Sequence, residues 1–157
     1  MVDLIRIWLE TDNQPAFRSA GWAYVLAEGR AISGAAGGER TISADRAALA
    51  GLVDALRAAP SGANVEVRSS AAAVASIQRR LIAASDAAPT EDLELWAQIL
   101  TALKSRTVRF TAAAPAPRTP TAFAAAWAEL GRNKAKTAGA FRSAIPKPNL
   151  AKAGVPA

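Results

Sequence analysis

The spacing of the apolar residues changes near Ser43, from a repeat of about two residues to a repeat of about 3.6 residues. Before Ser43, three short stretches have the composition of strands, at residues 4–9, 21–27 and about 30–37. The turn Glu28-Gly29-Arg30 between the second and third stretches is typical of a hairpin connection. The first forty residues therefore predict three antiparallel strands.

Helices and strands alternate after Ser43. This serine is of a type favoured at helix N-caps, and an amphipathic stripe follows it: Leu49, Leu52, Val53 and Leu56. The later elements are a strand at 65–67, a helix at 71–84, a helix capped by Thr90, a strand at 107–111, and a helix that opens at Thr119-Pro120. The order β-β-β-α-β-α-α-β-α predicts an α/β fold, with a five-stranded mixed sheet and helices on both faces.

Most large apolar side chains are assigned to the core. The buried stripes of the last two helices are predicted to be Leu93, Trp96, Leu100 and Leu103 in one, and Phe123, Trp127 and Leu130 in the other. Each of the four tryptophans lies in a predicted element, so all are expected to be buried: Trp8, Trp22, Trp96 and Trp127. Phe17 and Phe141 fall outside those elements and are expected to be exposed.

Positive charge is concentrated at the C-terminal end of the chain. The net charge is +6 at pH 7, and residues 133–157 contain five basic side chains and no acidic one. Because prolines and glycine interrupt this segment, the sequence predicts one domain at residues 1–132 and a basic Pro/Ala-rich tail at 133–157. Such a tail attracts a phosphate backbone through counterion release; the alternative is a solubilising extension without a partner.

Two missing residue types exclude several kinds of chemistry. The chain has no cysteine, which excludes disulfides, thiol catalysis and thiolate metal sites. It has no histidine, which excludes Ser–His–Asp hydrolases and histidine-ligated zinc or haem centres. The sequence contains no run of about 20 strongly apolar residues, so no membrane-spanning helix is predicted. Asp3 and Arg6 interrupt the early apolar run, so no signal peptide is predicted and a cytoplasmic location is expected.

Local motifs support the element order. They are the strand Ile5–Glu10, the strand Gly21-Trp22-Ala23-Tyr24-Val25-Leu26, the helix start Ser43-Ala44-Asp45-Arg46-Ala47-Ala48-Leu49, and the helical segments Asp92-Leu93-Glu94-Leu95-Trp96 and Trp127-Ala128-Glu129-Leu130. Together, over residues 1 to about 132, they resemble ribonuclease H of the bacterial type. The resemblance implies a ribonuclease H-like fold. It also implies cleavage of the RNA strand of an RNA–DNA hybrid with two Mg²⁺ ions held by four carboxylates.

The residues at the four implied carboxylate positions depart from that pattern. The positions fall on Glu10, Ala48, Ser70 and Ala128, so only Glu10 offers a carboxylate. Two hard divalent cations close together require several anionic oxygens to hold them. We therefore expect a degenerate site with no metal and no cofactor, and Mg²⁺ only if the chain is a nuclease after all.

Three functions remain open. The first is a catalytically inactive domain that binds a duplex or an RNA–DNA hybrid without cleavage, through Arg46, Arg68, Arg79, Arg80, Lys134, Lys136, Arg142, Lys147 and Lys152. The second is a protein-interaction or homodimerisation module, with the 71–84 helix and the loop 112–117 as contact surface. The third is a residual metal-dependent nuclease that uses Glu10 and Glu129 with Asp12 or Asp45.

Overall fold

The computed structural model describes residues 4–41, 43–82 and 89–156. The strands are β1 (Leu4–Gln14), β2 (Ser19–Glu28), β3 (Ala31–Glu39), β4 (Asn64–Ser69), β5 (Thr107–Ala112) and β6 (Phe141–Ala144). The helices are α1 (Ala44–Ala58), α2 (Ala72–Ile82), α3 (Leu93–Lys104), α4 (Pro120–Ala138) and α5 (Lys147–Leu150). The last two residues of the predicted 71–84 helix lie outside the described residues. Within these ranges, no helix is both long and apolar enough to span a bilayer.

The described strands form one mixed sheet in the order β5-β4-β1-β2-β3-β6. β1 pairs antiparallel with β2 and parallel with β4, and β4 pairs parallel with β5. Side chains alternate across β1, so Ile5 and Ile7 enter the core beneath α1, α2 and α3, whereas Trp8 enters a second core beneath α4. The predicted α/β class and the helices on both faces are confirmed.

α4 lies close to the sheet because the contact is made of small residues. A Cβ atom placed on Gly21 of β2 would lie 2.1 Å from the carbonyl oxygen of Ala128 in α4. One placed on Gly131 of α4 would lie 2.4 Å from the carbonyl oxygen of Gly37 in β3. Both positions therefore exclude any side chain, which fixes the depth at which α4 packs on the sheet.

Several local predictions are confirmed. The Ser43 hydroxyl accepts the backbone N–H of Arg46 at 3.1 Å, and Thr119 caps α4 in the same way. Three of the four tryptophans are buried, and Trp127 is partly buried against the core beneath α4. Phe17 is exposed as expected, while Phe141 is partly covered.

The C-terminal segment differs from the predicted tail. The boundary between residues 132 and 133 falls inside α4, and β6 adds a sixth strand to the sheet by pairing antiparallel with β3. Ile145 and Leu150 are buried beneath the same face as α4. The segment packs because these apolar side chains are buried, and Arg142 adds an ion pair with Asp54 of α1, with its Nε 3.0 Å from Oδ2.

The predicted buried stripes of α3 and α4 are partly wrong. Leu93 and Leu100 are 57% and 47% exposed, and Leu130 is 55% exposed. α3 instead buries Trp96, Ile99 and Ala102. The reason is that only one narrow side of α3 packs against α1. That side is too small to bury all four leucines and the tryptophan of the helix.

Candidate functional site

The carboxylate of Glu10 is held inside the protein by two serines. β1 and β4 run parallel, which brings Glu10 beside Ser69 and Ser70 at the end of β4. Ser69 Oγ donates to Glu10 Oε2 at 2.9 Å, and the backbone N–H of Ser70 donates to Oε1 at 3.0 Å. The Ser70 hydroxyl also donates to Oε1. Since Glu10 is only 2% exposed, its oxygens are engaged by the protein rather than turned to solvent.

Two of the other three positions that the resemblance assigned to carboxylates are apolar and buried. Ala48 lies in α1 and Ala128 in α4, and both are fully buried, one in each core. A carboxylate at either position would have to displace packed neighbours. The structure thus places Glu10 and Ser70 in contact, while the other two implied positions carry buried methyl groups in separate cores.

Acidic residues nearby are bound to arginine. Asp12 Oδ2 lies 2.6 Å from Nε of Arg132, a guanidinium that is itself buried. The exposed carboxylate of Glu129 lies 3.9 Å from the same arginine. Asp45 lies 3.8 Å from Arg80. The carboxylates that could have replaced the missing ones are therefore paired with cations.

A pair of Mg²⁺ ions does not fit these residues. In the part of the chain that the structure describes, no three His, Cys, Asp or Glu side chains are grouped so that they could hold a metal ion. Mg²⁺ takes oxygen ligands and retains its water shell strongly, so it needs charged oxygens that face solvent. Glu10 has neither a carboxylate partner nor an open approach.

Four of the nine predicted nucleic-acid-binding residues are engaged by acidic side chains. Arg46 contacts Glu94, Asp92 and Glu39 at 2.7–2.8 Å, and these hydrogen bonds raise the pKa of its guanidinium above the ordinary value. The other three pairs are Arg68 with Glu66, Arg80 with Asp45, and Arg142 with Asp54. The charge of these four arginines is therefore shared with carboxylates of the protein itself.

Basic and aromatic side chains converge on the C-terminal half of α4. Lys136 Nζ lies 3.8 Å from the ring centroid of Phe17, which is 52% exposed, and Lys134 Nζ lies 4.6 Å from that of Phe141. Arg40 Nη2 donates to the carbonyl oxygen of Thr137 at 3.0 Å. These residues are called the α4 basic patch: Phe17, Arg40, Lys134, Lys136 and Phe141. The sequence shows that these residues are basic, but it does not show that Arg40 contacts α4, because the contact joins residues 97 positions apart.

The remaining predicted basic residues lie elsewhere. Arg79 is exposed on α2, on the opposite side of the sheet from α4, while Lys147 and Lys152 are exposed at and just after α5. The nine residues therefore do not form one surface. Only Lys134 and Lys136 of the nine belong to the α4 basic patch.

The strand order β5-β4-β1-β2-β3, with α1–α3 on one face and α4 on the other, defines a ribonuclease H-like fold. The chain is similar to LC9-RNase H1, a type 1 RNase H with the type 2 active-site motif. The TM-score is 0.62 and the identity 16%, over 91% of this chain and 79% of that one. No protein-family model matches the chain, and no curated protein matches its sequence.

Two further solved structures have the same fold. One is the N-terminal RNase H domain of a Mycobacterium tuberculosis protein, solved as a fusion with maltose-binding protein, at TM-score 0.58 and 17% identity over 85% of this chain and 96% of that one. The other is LC11-RNase H1 in complex with an RNA/DNA hybrid, at TM-score 0.56 and 21% identity over 83% of this chain and 98% of that one. The predicted fold is confirmed.

Proposed function

We propose that this chain is a ribonuclease H-like domain that binds nucleic acid, as a duplex or an RNA–DNA hybrid, without cleaving it. The observation that carries the proposal is the closed Glu10 carboxylate, which accepts hydrogen bonds from Ser69 and Ser70. In a nuclease of this type the same oxygens would be needed for metal ions. In this chain, hydrogen-bond donors of the protein occupy the Glu10 oxygens instead of metal ions. This arrangement favours a site that does not catalyse cleavage.

Loss of the carboxylates also favours binding. A cluster of unpaired acidic groups repels phosphate, and the alanines and serine at these positions carry no charge. The neighbouring Asp12 is neutralised by Arg132 at 2.6 Å. A nucleic acid that approaches this end of the sheet therefore meets little negative charge.

The α4 basic patch supports nucleic acid as the partner. Lys134 and Lys136 supply exposed positive charge, and the exposed ring of Phe17 supplies a surface on which a base can stack. The similar LC11-RNase H1 was solved with an RNA/DNA hybrid, which supports the choice of a hybrid as the first ligand to test.

The proposal is tested by measuring binding and cleavage on one labelled RNA–DNA hybrid. Fluorescence anisotropy is expected to give a dissociation constant of about 1–100 µM at low salt. Gel electrophoresis after incubation with Mg²⁺ or Mn²⁺ is expected to show intact RNA. Absence of binding even at about 20 mM salt contradicts the binding half of the proposal. Cleavage that Glu10→Gln abolishes contradicts the catalytic half.

A further inference from the structure

An open cavity of about 610 Å³ lies between one face of β4 and β5 and the start of α4, and Glu10 is not among the residues that line it. It is lined by Trp8, Glu66, Arg68, Thr111, residues 112–114, residues 119–121, Gly154 and Pro156. The predicted tail thus supplies one wall. The volume is within the range that small-molecule sites occupy, about 300–1,000 Å³.

Arg68 is fixed in this cavity with its hydrogen-bonding edge free. Its Nε donates to Glu66 Oε1, and its guanidinium carbon lies 5.4 Å from the ring centroid of Trp8. None of the hydrogen bonds made among the described residues involves the two terminal nitrogens of Arg68. A guanidinium held in this way presents two parallel N–H donors, the geometry that suits a phosphate or a carboxylate.

Glu66 does not cancel this positive charge. It is 5% exposed, and its second oxygen is 2.6 Å from Nη2 of Arg109. Burial, the largest influence, raises the pKa of the Glu66 carboxyl, but the hydrogen bonds and charges of Arg68 and Arg109 together lower it below the ordinary value. Two arginines therefore share one carboxylate, and Arg6, whose guanidinium lies 5.3 Å from the Trp8 ring, adds a further positive charge to the same sheet face.

The start of α4 supplies donors on the other side of the cavity. The first turn contains no acidic residue, and the helix is long enough, at 19 residues, to present a positive dipole end. Thr121 lines the cavity and is 2% exposed, yet none of the hydrogen bonds made among the described residues involves its hydroxyl. The Thr121 hydroxyl is thus available to a ligand in the cavity that Arg68 also lines.

We propose that this cavity binds a phosphate monoester, with Arg68 and Thr121 as the recognising side chains. Phosphate satisfies each donor: two oxygens meet the terminal nitrogens of Arg68, and a third meets the Thr121 hydroxyl at the positive end of α4. The phosphate can belong to a free mononucleotide or to the 5′ end of a strand. The site shares no residue with the α4 basic patch. Phosphate binding at this cavity can therefore be tested independently of the proposed function.

The test uses inorganic phosphate and AMP with the full chain, followed by calorimetry and by the NMR signals of the Trp8 indole and the Thr121 amide. Both probes are expected to bind and to move these signals. Arg68→Gln is expected to weaken binding by about tenfold or more, and Thr121→Val, which keeps the side-chain volume, by about threefold to tenfold. Arg57→Gln is the matched control, because it removes one exposed charge from α1 on the other sheet face and leaves affinity unchanged.

Because Arg68→Gln also removes a partner of Glu66, Thr121→Val decides the result if the arginine variant unfolds. No signal change at about 10 mM phosphate, or equal affinity in wild type and Thr121→Val, overturns the proposal. An oligonucleotide with a 5′-phosphate is then compared with its 5′-hydroxyl counterpart. Tighter binding of the phosphorylated strand assigns the site to strand ends, and equal binding with AMP still bound assigns it to free nucleotides.

Discussion

At the residue scale, the buried Glu10 carboxylate has a structural role, because it accepts hydrogen bonds from Ser69 and Ser70. A catalytic carboxylate is usually a cost to stability, because it is held near like charges or away from its preferred partners. Glu10 instead accepts three donors, two hydroxyls and one backbone N–H, from Ser69 and Ser70 in a buried position. Its carboxylate is therefore expected to raise the free energy of unfolding.

Replacement of the Glu10 carboxylate by an amide tests whether it stabilises the folded protein. Glu10→Gln substitutes an N–H₂ donor for one acceptor and places it against the donating serines, so we expect a loss of about 1–3 kcal/mol in the free energy of unfolding. Urea denaturation followed by circular dichroism measures it. Glu28→Gln, at the exposed end of β2, is the control and is expected to change stability by less than about 0.5 kcal/mol. A stabilised Glu10→Gln protein would indicate a site that is still shaped for catalysis.

At the scale of elements, β6 depends on a polar contact across the sheet. Arg142 binds Asp54 of α1, and Asp54 also accepts the hydroxyl of the buried Tyr24 at 2.8 Å. Burial first, and then the hydrogen bond and charge of Asp54, raise the pKa of Tyr24 above its ordinary value. The Asp54 carboxylate thus accepts hydrogen bonds both from Tyr24 in the core and from Arg142 in the edge strand β6.

Two variants separate these roles. Arg142→Gln removes a half-exposed ion pair, so amides of β6 are expected to exchange faster, by up to about fivefold, while those of β1 keep their protection. Asp54→Ala also leaves the Tyr24 hydroxyl buried without an acceptor, so the whole chain is expected to lose about 1–3 kcal/mol of stability. Native-state hydrogen exchange measures both effects. Equal loss of protection throughout the sheet in Arg142→Gln would show that β6 is not a separate unit.

Elements with a repeating pattern were predictable, and those fixed by distant contacts were not. The helix starts at Ser43 and Thr119 follow from local chemistry, as does the sequence of strands. The strand β6 has four residues and no alternation, and its partner Asp54 is 88 positions away. For the site, parallel pairing of β1 and β4 brings Glu10 near Ser70. Only the three-dimensional structure shows that Ser69 and Ser70 both donate hydrogen bonds to it.

At the scale of the whole molecule, net charge overstates the charge available to a partner. The chain carries +6, but Arg46, Arg80 and Arg142 are engaged by acids, and Arg68 shares the Glu66 carboxylate with Arg109. The α4 basic patch keeps three cations for which the described residues provide only aromatic or backbone contacts: Arg40, Lys134 and Lys136. Binding strength is therefore expected to follow this local patch.

The salt dependence of binding to duplex DNA tests this expectation. Three phosphate contacts predict a slope of about −3 for the logarithm of affinity against the logarithm of salt concentration. The double variant Lys134→Gln with Lys136→Gln is expected to reduce the magnitude of the slope by about 2. The control, Arg57→Gln with Lys104→Gln, removes two exposed charges from α1 and α3 and keeps the slope. Equal slopes in both double variants would mean that binding has no preferred surface.

The two serines that hold Glu10 also restrict which substitutions this site tolerates. Aspartate at Ser70 alone would set two anions against each other and remove a donor, and the described residues contain no group of three acidic side chains placed to bind a neutralising metal ion. Aspartate at Ala128 alone would force a charge into close-packed surroundings. Each of these single substitutions is therefore expected to lower the free energy of unfolding, because neither position can accept an added negative charge without losing packing or hydrogen bonds.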